Sequence, residues 1–233
     1  MFIKQRVPQY AGTRGSLKWI QRLVELNPSV LTDAIRAGIG EAPDWTVDWV
    51  SPRQRDQWAE YRDAGFLLQL DLPGLIPDLK AFWPPGGPQW DALGKTSGKT
   101  SGKGVVLVEA KAHLDELTSN CGAGEKSRIR IDAALALTKT KLSAPDGADW
   151  TYRYYQYANR LAHLEFLRSK GVRSWLVFLY FYGDAEMGGP MSPEEWTEQL
   201  GAVYRYLGYK GGLLSRGVVN VFLPVEALTA PVV

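Results

Sequence analysis

Cysteine and histidine are almost missing from this chain of 233 residues: Cys121 is the only cysteine, and His113 and His163 are the only histidines. An intramolecular disulfide is therefore excluded. So are zinc sites built on four cysteines, on two cysteines with two histidines, or on three histidines. Any metal must rest mainly on carboxylates, which favours hard cations such as magnesium or manganese. A large excess of one charge is missing too. Lys plus Arg is 27 and Asp plus Glu is 25, a net charge of +2. That balance argues against a histone-like or polybasic-tail protein and leaves room for a local basic groove. Long apolar runs are also lacking. The longest, Trp175 to Tyr182, falls far short of a membrane span, and Met1 to Pro8 has no signal-peptide apolar core. These absences predict a soluble, cytoplasmic protein with no membrane partner.

What is present is a substantial core. Hydrophobic residues make up 45% and aromatic residues 12%, too much for a disordered chain. The length suits one α/β domain with insertions: a helical N-terminal part over 1–70, then a core over 71–233 with a helical insertion at about 113–142. Ser16 to Ile20 opens an amphipathic helix that Asn27-Pro28 stops, and Ser29 caps a second one ending near Gly38. Ser51-Pro52 predicts a third helix, with Trp58, Tyr61 and Phe66 at roughly helical spacing. Phe82 to Pro88 is a rigid, turn-rich connection. Strands follow at Gln89–Leu93 and Gly104–Ala112, joined by a mobile hairpin tip that repeats Gly-Lys-Thr-Ser. Helical material over 113–142, broken at Cys121 to Gly124, precedes a strong helix at 151–170. Trp175–Phe181 is apolar on both faces, as a central strand is. Ser192-Pro193-Glu194-Glu195 is a capping box that opens a helix towards Leu207, and Val218–Leu223 is the last strand. The order of elements indicates a mixed central sheet flanked by helices.

The lysine loop tempts a phosphate-loop reading, because Gly94-Lys95-Thr96 and Gly98-Lys99-Thr100 each end like one. The first glycine of that motif is absent, Leu93 and Gln89 standing there, and the segment leads into a strand where a phosphate loop leads into a helix. A solvated turn explains it better, its lysines free to meet a phosphate backbone as point charges. More informative is Asp91 followed by Glu109-Ala110-Lys111. Side chains alternate along a strand, so Glu109 and Lys111 share a face, and Asp91 precedes them across a hairpin. A solvated ion pair is the plain alternative.

Asp91 with Glu109-Ala110-Lys111 resembles the active-site motif of the PD-(D/E)xK nuclease superfamily, the restriction-endonuclease-like fold. The resemblance spans about Gln89 to Ala112, with weaker support from the order of elements between Ser51 and Leu223. It implies a helix before a β-meander, an aspartate on the second strand, Glu-x-Lys on the third, then a helix and a further strand. It implies that Asp91, Glu109 and the main-chain carbonyl of Ala110 hold magnesium or manganese, and that Lys111 positions the attacking water or stabilises phosphate charge. The chain departs from the family pattern at Trp90, where proline is usual. A literal Pro77-Asp78 upstream is the competing first ligand, and Asp91 is preferred because it lies immediately before the hairpin into Glu109.

Gln156, Asn159, Arg160 and His163 recur as one polar stripe on an otherwise apolar helix. The resemblance brings Gln156 to the site, and Arg160 is a candidate phosphate contact; a solvent-facing stripe is the alternative. Glu60, read as helical, is a further candidate for the metal shell, with Glu25 as its rival. Glu116 is a candidate for a second ion, and His113 is read as satisfying a backbone carbonyl. Cys121 has no base partner in sequence. From Lys95 to Lys141 there are nine basic and five acidic residues, a surplus of +4 that leaves −2 for the remainder, as a polyanionic substrate requires. The reading is a metal-dependent nuclease acting on nucleic acid, DNA before RNA. A non-catalytic binding module on the same fold stands second and a small-molecule enzyme third, and assembly as a homodimer is left open.

Overall fold

The computed structural model describes residues 5–41, 44–99, 102–145, 147–208 and 214–228. In chain order the regular elements are β1 (Arg6–Val7), α1 (Gly15–Leu26), α2 (Pro28–Ile39), β2 (Thr46–Ser51), β3 (Glu60–Tyr61), α3 (Ala64–Gln69), α4 (Ile76–Phe82), β4 (Ala92–Ser97), β5 (Gly104–Lys111), α5 (Glu125–Leu142), α6 (Tyr155–Ser169), β6 (Ser174–Tyr182), α7 (Pro193–Leu207) and β7 (Val218–Pro224).

Five strands form a mixed sheet in the order β2-β4-β5-β6-β7. The first three pair antiparallel, and β6 and β7 continue parallel to β5. Each parallel step needs a crossover. Helices α5 and α6 supply the first and α7 the second. A separate ribbon pairs β1 with β3. The fold is thus mixed α/β, with helices on both faces of one sheet.

Strand alternation divides the core in two. In β5, Val106, Val108 and Ala110, with Ala112 just beyond it, face the cluster formed with α1 and α2. Val105 and Leu107 face the larger cluster formed with α3 to α7. Glu109 and Lys111 continue the second series and therefore emerge beneath α6. That period of two decides which helix meets the candidate acid. At Gly94, paired across the sheet with Trp49, a Cβ would come within 2.3 Å of Val47 Cγ1 and 3.2 Å of the Trp49 ring. The indole lies over backbone that only glycine leaves bare.

Several expectations change. The segment from Ser51 to Phe66 is no single helix: it holds the end of β2, a short turn of 3₁₀-helix at Gln54–Asp56, β3, and only then α3. The first 70 residues therefore contribute β2 to the main sheet. Lys95 lies within β4, and Thr100 and Ser101 of the predicted tip lie outside the described residues. The second helix begins at Pro28 and ends at Ile39, one residue beyond the expected stop, with a left-handed Gly40 as its C-cap. The predicted cap of α7 is present: Ser192 Oγ accepts from the Glu195 N–H at 3.3 Å, with Pro193 at the first helical position. No helix among the described residues is long and apolar enough to cross a membrane.

Candidate active site

At the carboxyl end of β5 the sheet changes partner. The β4 ladder ends at Ala92, opposite Val108, so beyond Val108 that edge of β5 needs other acceptors and donors. Asp91 fills part of the gap. Its N–H donates to the Val108 carbonyl at 3.2 Å, and its Oδ2 accepts from the Ala110 N–H at 2.7 Å. The carboxylate acts as a side-chain extension of the ladder, fixing Asp91 one residue from Glu109.

Glu109 is 2% exposed and Lys111 4%. Buried charges are costly unless paired, and both are paired. Glu109 Oε1 accepts from Lys111 Nζ, and Oε2 accepts from Arg160 Nε at 2.7 Å. Lys111 Nζ also donates to Gln156 Oε1 at 3.0 Å. Arg160 Nη2 also lies 2.5 Å from Glu109 Oε2, Nη1 donates to Asn159 Oδ1 and Nη2 to the Gln89 carbonyl, each at 2.8 Å, and the guanidinium lies 5.0 Å from the Trp90 ring centroid. Gln156 and Arg160 reach the same strand because they sit one helical turn apart on α6, whose N-terminus is tied down by the Ser119 hydroxyl accepting from the Gln156 N–H at 2.8 Å.

A third carboxylate arrives from β3. An isolated antiparallel bridge joins Tyr61 to Trp90, which places Glu60 opposite Asp91 and diagonal to Gln89. Glu60 Oε2 accepts from Gln9 Nε2 at 3.1 Å and from Gln89 Nε2. The three acids are electrically coupled. Burial, reinforced by the charges of Glu109 and Glu60, pushes Asp91 well above the usual carboxylate range. Burial also raises Glu60, against the Gln89 hydrogen bond and with the help of Glu109. Burial acts on Glu109 in the same direction, but Arg160 and Lys111 outweigh it and hold that group below its ordinary value. Three acids against two bases leave the cluster short of positive charge.

Comparison with protein-family models, with curated proteins and with solved structures returned no match for this chain. The geometry of the site is therefore its own evidence.

The structure brings together Asp91, Glu109, Lys111, Gln156, Arg160 and Glu60, the last from a strand where a helix was expected. It does not gather a ready-made metal cage: among the described residues no three Asp, Glu, His or Cys side chains are grouped to hold an ion. Arg160 is a buried partner of Glu109 in place of the anticipated phosphate contact, and Asn159, Arg160 and His163 are buried where a solvent-facing stripe would be exposed. Glu116 is used differently from the expected second ion site. Its Oε1 accepts from the Ala112 and His113 N–H groups at 2.9 and 3.1 Å, and its Oε2 from Ser16 Oγ at 2.8 Å. It caps a turn and ties α1 to the end of β5. His113 Nδ1 accepts from the Asp115 N–H at 3.2 Å, opposite in sense to the anticipated bond to a carbonyl. Glu25 pairs with Arg53 at 3.4 Å. Asp78 pairs with Lys170 at 2.8 Å on α4, which removes Pro77-Asp78 as a competitor. The local charge surplus is also smaller than the count, because Lys95 pairs at 3.0 Å with Asp71, which lies outside the counted segment. Gln9 and Gln89 were not foreseen. Gln89 stands two residues before Asp91 in an extended segment, a signal alternation offers, whereas no local pattern points from Gln9 to Glu60.

Proposed function

We propose that the chain is a metal-dependent phosphodiester hydrolase acting on nucleic acid, DNA before RNA, with a PD-(D/E)xK-type site. The observation carrying this reading is topological. An antiparallel meander followed by a parallel strand puts Asp91 at the entry of the second sheet strand. Glu109 and Lys111 stand at the exit of the third, beneath the helix that supplies Gln156.

The donor set fits a hard divalent cation. Asp91 Oδ1 and Glu60 Oε1 make no protein hydrogen bond among the described residues. The N–H and C=O of one strand residue face the same neighbour, so the Ala110 carbonyl turns to the edge where Asp91 receives the Ala110 N–H. Magnesium is commonly held by one or two carboxylates with waters completing its octahedron, so Asp91, Glu109 and the Ala110 carbonyl suffice, with Glu60 beside them. When bound, such an ion lowers the pKa of a coordinated water and neutralises charge developing on the phosphate. Lys111, held between Glu109 and Gln156, keeps an ammonium fixed at the same place, where it orients water and offsets phosphate charge. Arg160 supplies the second buried positive charge on Glu109.

Cleavage of plasmid and linear DNA, with single-stranded RNA as comparator, tests this in magnesium or manganese. Asp91→Ala and Lys111→Ala are expected to abolish it, and undiminished cleavage by both variants would reject the site. That both Glu109 oxygens already accept from Lys111 and Arg160 favours a second reading, a non-catalytic nucleic-acid-binding module. Calorimetry separates the two: nucleic-acid binding with no heat from magnesium or manganese supports the module.

A further inference from the structure

Helices α4, α5 and α6 leave a cleft of 380 Å³ between them, within the size range of small-molecule sites, roughly 300–1,000 Å³. No residue of the Glu109 network lines it. Its apolar wall is Phe82 and Phe166, stacked with centroids 5.1 Å apart, together with Leu137. Its polar groups are nearly all spent inside the protein. Asp78 is paired with Lys170, the Thr138 hydroxyl donates to the Ala134 carbonyl at 2.8 Å, and the Ser169 hydroxyl donates to the Phe166 carbonyl at 2.7 Å.

Two side chains are exceptions, Lys141 on α5 and Glu165. Glu165 stands on α6, lines the cleft and is 8% exposed, yet its carboxylate makes no hydrogen bond or ion pair with any described residue. Lys141 lines the same cleft without pairing to it. The Glu165 side chain is largely covered, but its oxygens are open to the cleft and free to accept from a ligand's donor. One free carboxylate beside two aromatic rings suits a monovalent organic cation: the ammonium donates to Glu165 and the body lies on the rings. A hard divalent ion is served poorly, because it needs several oxygens.

We propose that this cleft is a binding site for a small organic ammonium ion with an apolar body, recognised by Glu165 and seated on Phe82, Phe166 and Leu137. Calorimetry of the full chain in the presence of chelator, with phenethylammonium and its neutral isostere 2-phenylethanol as probes, tests this without reference to nuclease activity. Phenethylammonium is expected to bind roughly tenfold tighter than the alcohol, about 1.4 kcal/mol. Glu165→Gln is expected to erase that preference and Lys141→Met to retain it. Because Glu165→Gln keeps the shape and removes an unpaired charge, its Tm is expected to equal or exceed that of the parent. Equal affinity for the two probes, or no binding of either, overturns the proposal. So does a preference that survives Glu165→Gln, one lost in Lys141→Met, or a lowered Tm in Glu165→Gln, which would make the carboxylate a structural partner.

Discussion

Acidification from about pH 7 to about pH 4.5 reads out the burial of His163. The imidazole lies among Phe66, Phe82, Trp83 and Trp90, with the Trp83 ring centroid at 4.8 Å. Its Nδ1 donates to the Asn159 carbonyl at 2.8 Å, since a carbonyl oxygen only accepts. Burial disfavours the charged ring, the Asn159 carbonyl favours it, and Arg160 opposes it. The outcome is a pKa pushed down to about 3 from the ordinary 6.5. Between those values the unfolded chain holds a proton that the folded chain does not, so stability is complete above about pH 6.5 and falls as pH falls towards 3. At 1.36 kcal/mol per pK unit the full loss is about 5 kcal/mol, of which about 3 kcal/mol has gone by pH 4.5. Asp91 and Glu60, both raised, act in the opposite sense, because the folded chain holds their protons more firmly. The wild-type slope alone therefore mixes the two effects. Comparison with His163→Leu isolates the histidine, because the carboxylates are common to both chains. Urea unfolding at both pH values is the assay: the wild type is expected to lose about 3 kcal/mol more than His163→Leu. Equal losses in the two proteins would refute the argument.

Asp91→Asn, which keeps an acceptor for the Ala110 N–H and removes a charge opposed by Glu109 and Glu60, is expected to raise Tm while weakening magnesium binding in calorimetry; a lowered Tm would contradict it. Glu109→Gln leaves Lys111 and Arg160 buried without their counter-ion and is expected to cost about 3–5 kcal/mol in urea unfolding, whereas Glu116→Gln, at a capped turn, is expected to cost about 1 kcal/mol. Tyr157→Phe breaks the 2.6 Å hydrogen bond between the Tyr157 and Tyr180 hydroxyls and is expected to cost about 1–2 kcal/mol, since the Tyr180 hydroxyl remains buried. Gly189→Ala places a Cβ 2.1 Å from the Ala112 carbonyl oxygen, and since backbone must move, thermal melts are expected to show a loss of about 1–3 kcal/mol.

The features legible before folding are those set by short periods. Alternation put Glu109 and Lys111 on one face, and the fully apolar run at Trp175–Phe181 marked the strand now buried on both faces as β6. The hairpin between β4 and β5 followed from adjacent strands about a glycine-rich turn. The reading failed at Glu60, where Trp58, Tyr61 and Phe66 imitate a helical spacing. Tyr61 is in fact taken up by β1 on one side and bridges Trp90 on the other, pairings 55 and 29 residues away that no window contains. The α6 stripe, by contrast, left open whether its polar residues turn to the site or to solvent, and packing decides it. That helix is buried from Tyr157 to Leu167 with no polar side, so Asn159, Arg160 and His163 find partners inside the protein.

The sequence by itself determined the α/β class, the exclusion of cysteine- and histidine-rich metal chemistry, and an acid with an amine on one side of a strand, because composition and side-chain alternation are local properties. Only the tertiary structure decided what surrounds that pair. Laying α6 over β5 turned Arg160 towards Glu109, and bridging β3 to Trp90 delivered Glu60. Whether a buried charge is paired depends on groups that meet only when distant segments close on one another, and that closure is a property of the packed core.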